Sequence, residues 1–481
     1  MSGAGRRLIG RGSVYTLGSA APMLAGLLVT PFLTRAAGVD EYGLISVSIT
    51  TMQWSLVVLT LGLPLIITRH VLAESTGTEG ARGLVLVGTV AALSTAVVVA
   101  ALLHVVALGG SATSLAVSLA LVAGGLGAGI ALTQAWAVAL ERAWFYVVLA
   151  AGPTLLAPAA GLLAVGAGEQ PSAGRYFAAV AVVNALTLAF GLVKVLGSGR
   201  VVLRWNDVTA AVRTSLPLVP HQFVTASANG VGVLVAAAVL GRSDGGRAQV
   251  ALYLGTVALT LTSAVAYAWL PVLAKGARET RGEQLGETAA LVTTLAALAT
   301  GGVALLSPWL LAVLVPASFS VGDMVPLVAA ACLAAPLAAV YLAHYQLVVL
   351  SGRTAVLAVL SPLAMLVGAA VSVLATRSLG LAGVGLGVAT TYACLWLLVR
   401  SLARRVGGVT WPEATVLAPL LVGLVLCLAG ALLPSSGIAA AATRGPFALL
   451  VAAAGVAVLH RLFGRRGTVD AVVAEPSEGA S

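Results

Sequence analysis

Apolar residues run along this chain in blocks of twenty or more, and the polar residues between the blocks come in short groups. The blocks show no alternation of the kind a half-buried strand would give. In lipid no water satisfies the backbone, so only helices and closed barrels cross, and about 20 helical residues reach from one side to the other. The pattern predicts an all-α polytopic membrane protein of about 14 transmembrane helices. They fall at residues 13–35, 44–66, 83–108, 113–138, 144–167, 176–197, 215–240, 249–273, 286–314, 324–350, 355–376, 381–402, 413–433 and 439–461.

The longest internal polar stretch runs from Gly197 to Arg213 and carries Arg200, Arg204, Trp205, Asn206 and Asp207. It separates six spans from the next six. The second span ends LGLPLIITR (Leu61 to Arg69) and the eighth ends YAWLPVLAK (Tyr267 to Lys275), each with a proline about a turn before a cation. A repeat of this kind predicts two pseudo-symmetric six-helix bundles with a cleft between them. The expected organisation is a first lobe at 1–197, a cytoplasmic linker at 198–213, a second lobe at 214–405, an additional helix pair at 406–464 and a disordered cytoplasmic tail at 465–481.

Composition removes the soluble alternatives. Of 481 residues, 60% are hydrophobic and 9% charged, where soluble domains carry roughly a quarter charged. The net charge of +10 is spread in ones, twos and threes between apolar runs, so it is not a nucleic-acid patch. It reads instead as topology. With the N-terminus inside, 20 of the 26 cations fall in cytoplasmic segments, and the outer ones are Arg35, Arg175, Arg242, Arg247, Arg377 and Arg444 in short loops. Both termini are therefore expected in the cytoplasm. Arg6, Arg7 and Arg11 precede a stretch too long for a signal peptide, which is read as the first span. The use of 24 Arg against 2 Lys, with much Ala, Gly and Val, suggests a GC-rich bacterium and hence its cytoplasmic membrane. Cys332, Cys394 and Cys427 lie inside apolar runs without metal-ligand spacing, so no metal, cofactor or disulfide is expected.

Ser13 to Gly43 (SVYTLGSAAPMLAGLLVTPFLTRAAGVDEYG), followed by LGLPLIITR, resembles the polysaccharide transporter family of lipid-linked oligosaccharide flippases, the O-antigen (Wzx-type) group. Ser215 to Gly241, Ala251 to Gly276 and Gly380 to Arg400 are similar to that family's seventh, eighth and twelfth helices, and the likeness covers roughly residues 10–460. The resemblance implies the fold of the multidrug/oligosaccharidyl-lipid/polysaccharide exporter superfamily, with spans 1, 2, 7 and 8 lining a central cavity. One departure stands out: many relatives carry an Asp-Arg pair in mid-seventh helix, where this chain reads GVGVLVAAAVLG (Gly230 to Gly241).

Enzyme machinery is missing from the pattern, which shows no P-loop, GxGxxG, nucleophile elbow or HExxH. No enzyme activity or catalytic residue is expected. Polar stripes do occur at helical spacing: Thr16, Ser19, Met23, Gly26, Thr30 and Thr34 in the first span; Ser46, Thr50, Gln53 and Thr60 in the second; His221, Gln222, Thr225 and Asn229 in the seventh; Thr256, Thr260, Ser263 and Tyr267 in the eighth. They suit a hydrated sugar path, although small hydroxyl residues also glue membrane helices together. Arg35, Arg69 and Lys275 are candidates for a diphosphate headgroup, whose oxygens accept charge-assisted hydrogen bonds; snorkelling to the interface is the competing role. Trp54, Trp136, Trp269 and Tyr345 are candidates to stack on sugar faces. Gln53, Gln134, Gln222, Asn229 and Gln346 are candidates to bond hydroxyls, with Gln53 and Asn229 near mid-membrane, where an amide needs a partner. No carboxylate falls in mid-span, which argues against a cation-coupled drug antiporter. Pro31, Pro64, Pro217, Pro220 and Pro271 supply bend points.

The expectation is a flippase that moves a polyprenyl-diphosphate-linked oligosaccharide across the membrane by alternating access. Membrane lipids surround it, and a polysaccharide polymerase and glycosyltransferases are the partners the resemblance implies. Two alternatives stand beside it: an exporter of the peptidoglycan lipid precursor or of small molecules in the same superfamily, and a non-transporting scaffold of a polysaccharide assembly complex.

Overall fold

A computed structural model describes residues 3–73, 76–107, 109–263, 281–406 and 410–473, and every regular element among them is helical. Eleven helical segments among the described residues are long and apolar enough to cross a membrane. One of these, Ala25–Leu72, takes in the later part of the first span and the whole of the second, and the seventh is the shorter apolar helix Ala226–Val239. The eighth opens as Arg242–Gly255. The chain is thus a multi-pass membrane protein of two helical lobes and a final pair.

Loop contacts fix the parity of the spans. The turn at the end of the first span meets the loops after the seventh and fifth, because Ser243 Oγ donates to Asp40 Oδ1 at 2.5 Å and the Ala173 N–H donates to Glu41. Arg242 reaches Thr113 after the third span at 3.3 Å, and Thr34 Oγ1 donates to the Leu314 carbonyl after the ninth at 3.0 Å. At the opposite end, Arg82 donates to Ser198 Oγ at 3.2 Å and to the Arg200 carbonyl at 3.0 Å, joining the loops after spans 2 and 6. Spans 1, 3, 5, 7 and 9 therefore end on one face, the Arg-poor one, and spans 2 and 6 on the other.

Several elements differ from the sequence pattern. The first two spans have no loop between them; one helical run, Gly3–Leu59, changes direction at Gly38, whose φ of 72° is open to glycine at little cost. The second span does not stop at residue 66. It breaks at Thr60–Gly62, with Leu61 at φ 49° and Gly62 at φ 69°, and resumes as Leu63–Ala73. Pro64 fits there because the first turn of a helix has no use for its missing N–H. The linker contains an amphipathic helix, Trp205–Ser215, which buries Ala211 and Ser215 and exposes Trp205. The eighth span pauses at Thr256 before helix returns over 257–263. The tenth is jointed at Leu333 between Val321–Cys332 and Ala334–Leu350, where Pro336 has no N–H to offer the Cys332 carbonyl. Residues 465–473, expected to be disordered, continue the last helix, Gly437–Val473.

The main apolar core runs through both lobes, from Leu33, Tyr42 and Ile45 to Val233, Leu252, Val328 and Ala339. A second cluster, with Ile67, Leu84, Trp136, Val195 and Ala211, closes the Arg-rich end of the first lobe. Arg444, counted above among outer-loop cations, is fully buried. Its guanidinium donates to the carbonyls of Pro434 (2.7 Å), Leu433 (2.7 Å), Gly430 (2.9 Å), Ala304 (3.2 Å) and Leu305 (3.2 Å), fastening the final pair to the ninth span.

Candidate functional site

Where the lobes meet in mid-membrane, the second span crosses the seventh at Gly230. A Cβ there would lie 2.7 Å from Thr50 Cγ2 and 2.8 Å from Trp54 Nε1, so only glycine permits the approach. Trp54 packs edge-on against Phe223, ring centroids 5.2 Å apart, and its buried indole N–H has no partner. Next to the crossing residue, Asn229 Nδ2 donates to Thr256 Oγ1 at 2.9 Å, tying the seventh span to the break in the eighth. The Asn229 Oδ1 is buried without a partner, an acceptor left open in a region where satisfaction is the rule.

Towards the Arg-rich face, His221 Nδ1 lies 2.8 Å from Ser361 Oγ, and its ring stacks on Tyr345 at 5.8 Å and 14°. Gln222 beside it is half-buried, and Gln346 is buried on the tenth span. The seventh span thus touches the second through Trp54 and Phe223 and the tenth through His221 and Tyr345. Gln53 is exposed and makes no side-chain hydrogen bond among the described residues. It shares a helical stripe with Ser46 and Thr60, while the opposite stripe, of half-buried Val47 and Thr51 and exposed Val58, is largely apolar.

The stripe hydroxyls are mostly turned inward in this conformation. Thr30, Thr34, Ser46, Thr50, Thr60 and Thr256 are all buried and bond to carbonyls three or four residues back on their own helices. That is the packing role of such residues.

The two described cations of the candidate set differ. Arg35 Nη1 donates to Pro31 O at 2.6 Å and its Nη2 to the Val313 carbonyl at 3.2 Å, so it caps the ninth span across the lobe boundary. Arg69 makes no hydrogen bond or ion pair among the described residues and lines a cavity of about 150 Å³ at the Arg-rich end, with His70, Asp207 and Thr214. Tyr267, Trp269 and Lys275 lie outside the described residues. Trp136 is not available to stack on a sugar: it is fully buried, with the Arg82 and Arg142 guanidinium carbons 5.9 and 5.0 Å from its ring centroid.

Sequence reasoning missed the companions of Arg69. His70 Nε2 lies 2.7 Å from Thr76 Oγ1, which donates to Asp207 Oδ2 at 3.2 Å, and His70 is 3.9 Å from the same oxygen. The signal was present in the linker, where Val208, Ala211 and Ser215 recur at helical spacing beside Asp207.

No family model and no curated protein matches the sequence. Solved structures do match the fold. The lipid II flippase MurJ in an inward closed conformation aligns with TM-score 0.63 and 11% identity, covering 93% of this chain and 99% of that one. A multidrug resistance MATE family transporter of the MOP superfamily, inward-facing, aligns with TM-score 0.61 and 14% identity, covering 81% and 98%. A mutant of the Vibrio cholerae MATE transporter VcmN aligns with TM-score 0.56 and 15% identity, covering 83% and 96%. The chain has the fold of the MOP-superfamily transporters.

Proposed function

We propose that this protein is a flippase for a polyprenyl-diphosphate-linked oligosaccharide in a bacterial cytoplasmic membrane, with both termini in the cytoplasm, serving cell-surface polysaccharide synthesis. The observation that carries the reading is Arg69: a guanidinium with no hydrogen bond or ion pair among the described residues, lining a cavity at the end of a broken cavity helix, on the Arg-rich face where a lipid-linked diphosphate would enter. Guanidinium matches phosphate oxygens in pairs. Two further points support it. The alignment to the lipid-carrier flippase takes in 93% of this chain against 81% for the first MATE transporter, the kind of difference an added helix pair produces. The described spans also carry no mid-membrane carboxylate of the kind that binds coupling cations or cationic drugs.

In this mechanism the diphosphate engages Arg69, with Lys275 as its counterpart in the second lobe and Arg35 near the exit. The glycan passes Gln53, Trp54, Asn229, His221, Gln222, Tyr267, Trp269 and Gln346. A strain lacking the gene should lose surface glycan and accumulate its lipid-linked precursor. The wild type should restore export, and Arg69→Ala should restore it about tenfold less well, the loss expected from one charge-assisted contact. Full rescue by Arg69→Ala would remove that residue from the site. A deletion strain with normal glycan and a block in peptidoglycan synthesis would replace the substrate with the peptidoglycan lipid precursor, the reading the lipid II flippase favours.

A further inference from the structure

A second cavity, of about 540 Å³, opens at the Arg-rich face where the twelfth and tenth spans meet the start of the thirteenth. It is lined by apolar Leu347, Ala403 and Trp411 and by polar His344, Arg404, Thr410 and Glu413, and Arg400 reaches it through Glu413. Glu413 is fully engaged: Oε2 accepts from Arg400 Nε (2.5 Å) and Arg404 Nη2 (3.0 Å), and Oε1 accepts from Arg404 Nε (3.2 Å) and lies 3.4 Å from His344 Nε2. The carboxylate therefore fixes two guanidinium groups in place without exhausting them. The Nη1 groups of both arginines make no hydrogen bond among the described residues, and the side chains of Arg400 and Arg404 are 33% and 60% exposed. With Arg405 alongside and exposed, three cations stand against one acid.

Helix-end electrostatics accounts for part of this, since cations suit a helix C-terminus and an acid the next helix's start. It does not account for a cavity with both kinds of wall. We propose that this cavity binds the phosphate headgroup of an anionic phospholipid from the leaflet on the Arg-rich face. Held guanidinium groups pair with phosphate, and the negative surface of an anionic leaflet attracts nearby arginines. Trp411, buried with its ring 5.1 Å from that of His344, forms the apolar wall beside them. One turn past Glu413 an exposed apolar stripe begins, Leu417, Leu421, Val425 and Leu428, along which acyl chains lie. A lipid bound here would bridge the second lobe and the final pair. This is a site separate from the Arg69 cavity and independent of what the protein transports.

The test uses the full-length protein in detergent, with native mass spectrometry and thermal melting in titrations of phosphatidylglycerol, phosphatidylcholine and inorganic phosphate. Phosphatidylglycerol should bind and stabilise, and an Arg400→Gln/Arg404→Gln variant should bind it at least tenfold more weakly, with phosphatidylcholine binding unchanged. Equal phosphatidylglycerol binding by the variant overturns the proposal, as does inorganic phosphate stabilising the wild type equally, which would mark a site for soluble anions. Should the double variant fail to fold, photoreactive phosphatidylglycerol on the wild-type protein decides. Crosslinks around Thr410 to Leu417 that the phosphatidylcholine analogue does not give support the site, and equal crosslinking by both lipids refutes it.

Discussion

The carbonyl of Ala304 is released because Pro308, four residues on, has no N–H to give it. Arg444 takes that carbonyl together with those at the end of the thirteenth span, so one side chain serves two helix defects. A guanidinium presents five donors in a fixed fork, which a lysine does not. Arg444→Ala is therefore expected to cost on the order of 3 kcal/mol, because the carbonyls of Gly430, Leu433 and Pro434 lose the guanidinium together, while that of Ala304 keeps the Ser307 hydroxyl at 2.8 Å. The thermal melting temperature of the purified protein checks this, and Arg444→Lys should recover little of the loss. An unchanged melting temperature for Arg444→Ala would show that the carbonyls find other partners. At this scale the sequence misleads in a definite way. Arg82, Arg400, Arg404 and Arg444 all enter the charge partition as interface cations. Arg82 and Arg444 are buried clasps, and Arg400 and Arg404 are held by Glu413. Their partners lie from nine to 140 residues away along the chain, so no local pattern separates a clasp from a snorkelling side chain.

Elements were legible where their interruptions have a chemical cause visible in the chain. Pro64, read as a bend point, stands at the joint in the second span, whereas the pattern singles out neither Pro336 at the joint of the tenth nor Gly38 at the turn between the first two. The pause at Thr256 has no proline beside it. It coincides with the Asn229 contact, which comes from the seventh span and so is invisible in the eighth. The break in the second span also holds strain: Leu61 at φ 49° is a branched residue in the left-handed region, a conformation costing roughly 1–2 kcal/mol. Gly62 avoids that cost by lacking a Cβ, which would sit 3.1 Å from the Ser215 carbonyl oxygen. Gly62→Ala should lower stability by about 1–2 kcal/mol. Gly455→Ala should act oppositely. It lies within the last helix with open space around its Cβ position, and alanine there is worth about 0.5–1 kcal/mol. Chemical or thermal denaturation of the two variants in one detergent gives the comparison; a shared sign would discard the backbone explanation.

The molecule as a whole was legible to the level of parity and halves. Charge spacing and the repeated proline-cation ends separate two lobes, and the loop contacts at each face agree with that order of spans. The relation between the lobes was not legible, because it depends on how closely two surfaces fit. At the Arg-poor face the fit is tight. A Cβ on Gly43 would lie 2.2 Å from the Arg242 carbonyl oxygen, and Thr34, which bonds across to the ninth span, is fully buried. This face is closed by backbone-to-backbone approach, with Arg35 capping the ninth span beside it. An alternating-access protein must open that contact, and a side chain at position 43 obstructs its closing. Gly43→Leu is therefore expected to shift the population towards the state open at the Arg-poor face. A bias of about 1.4 kcal/mol is tenfold in the ratio of states. Thr34→Cys reports it, in a background without Cys332, Cys394 and Cys427. A membrane-impermeant thiol reagent applied from the Arg-poor side should label Thr34→Cys slowly, and Gly43→Leu/Thr34→Cys several-fold faster. Equal labelling would mean that the second lobe moves with position 43 and that the closure lies elsewhere.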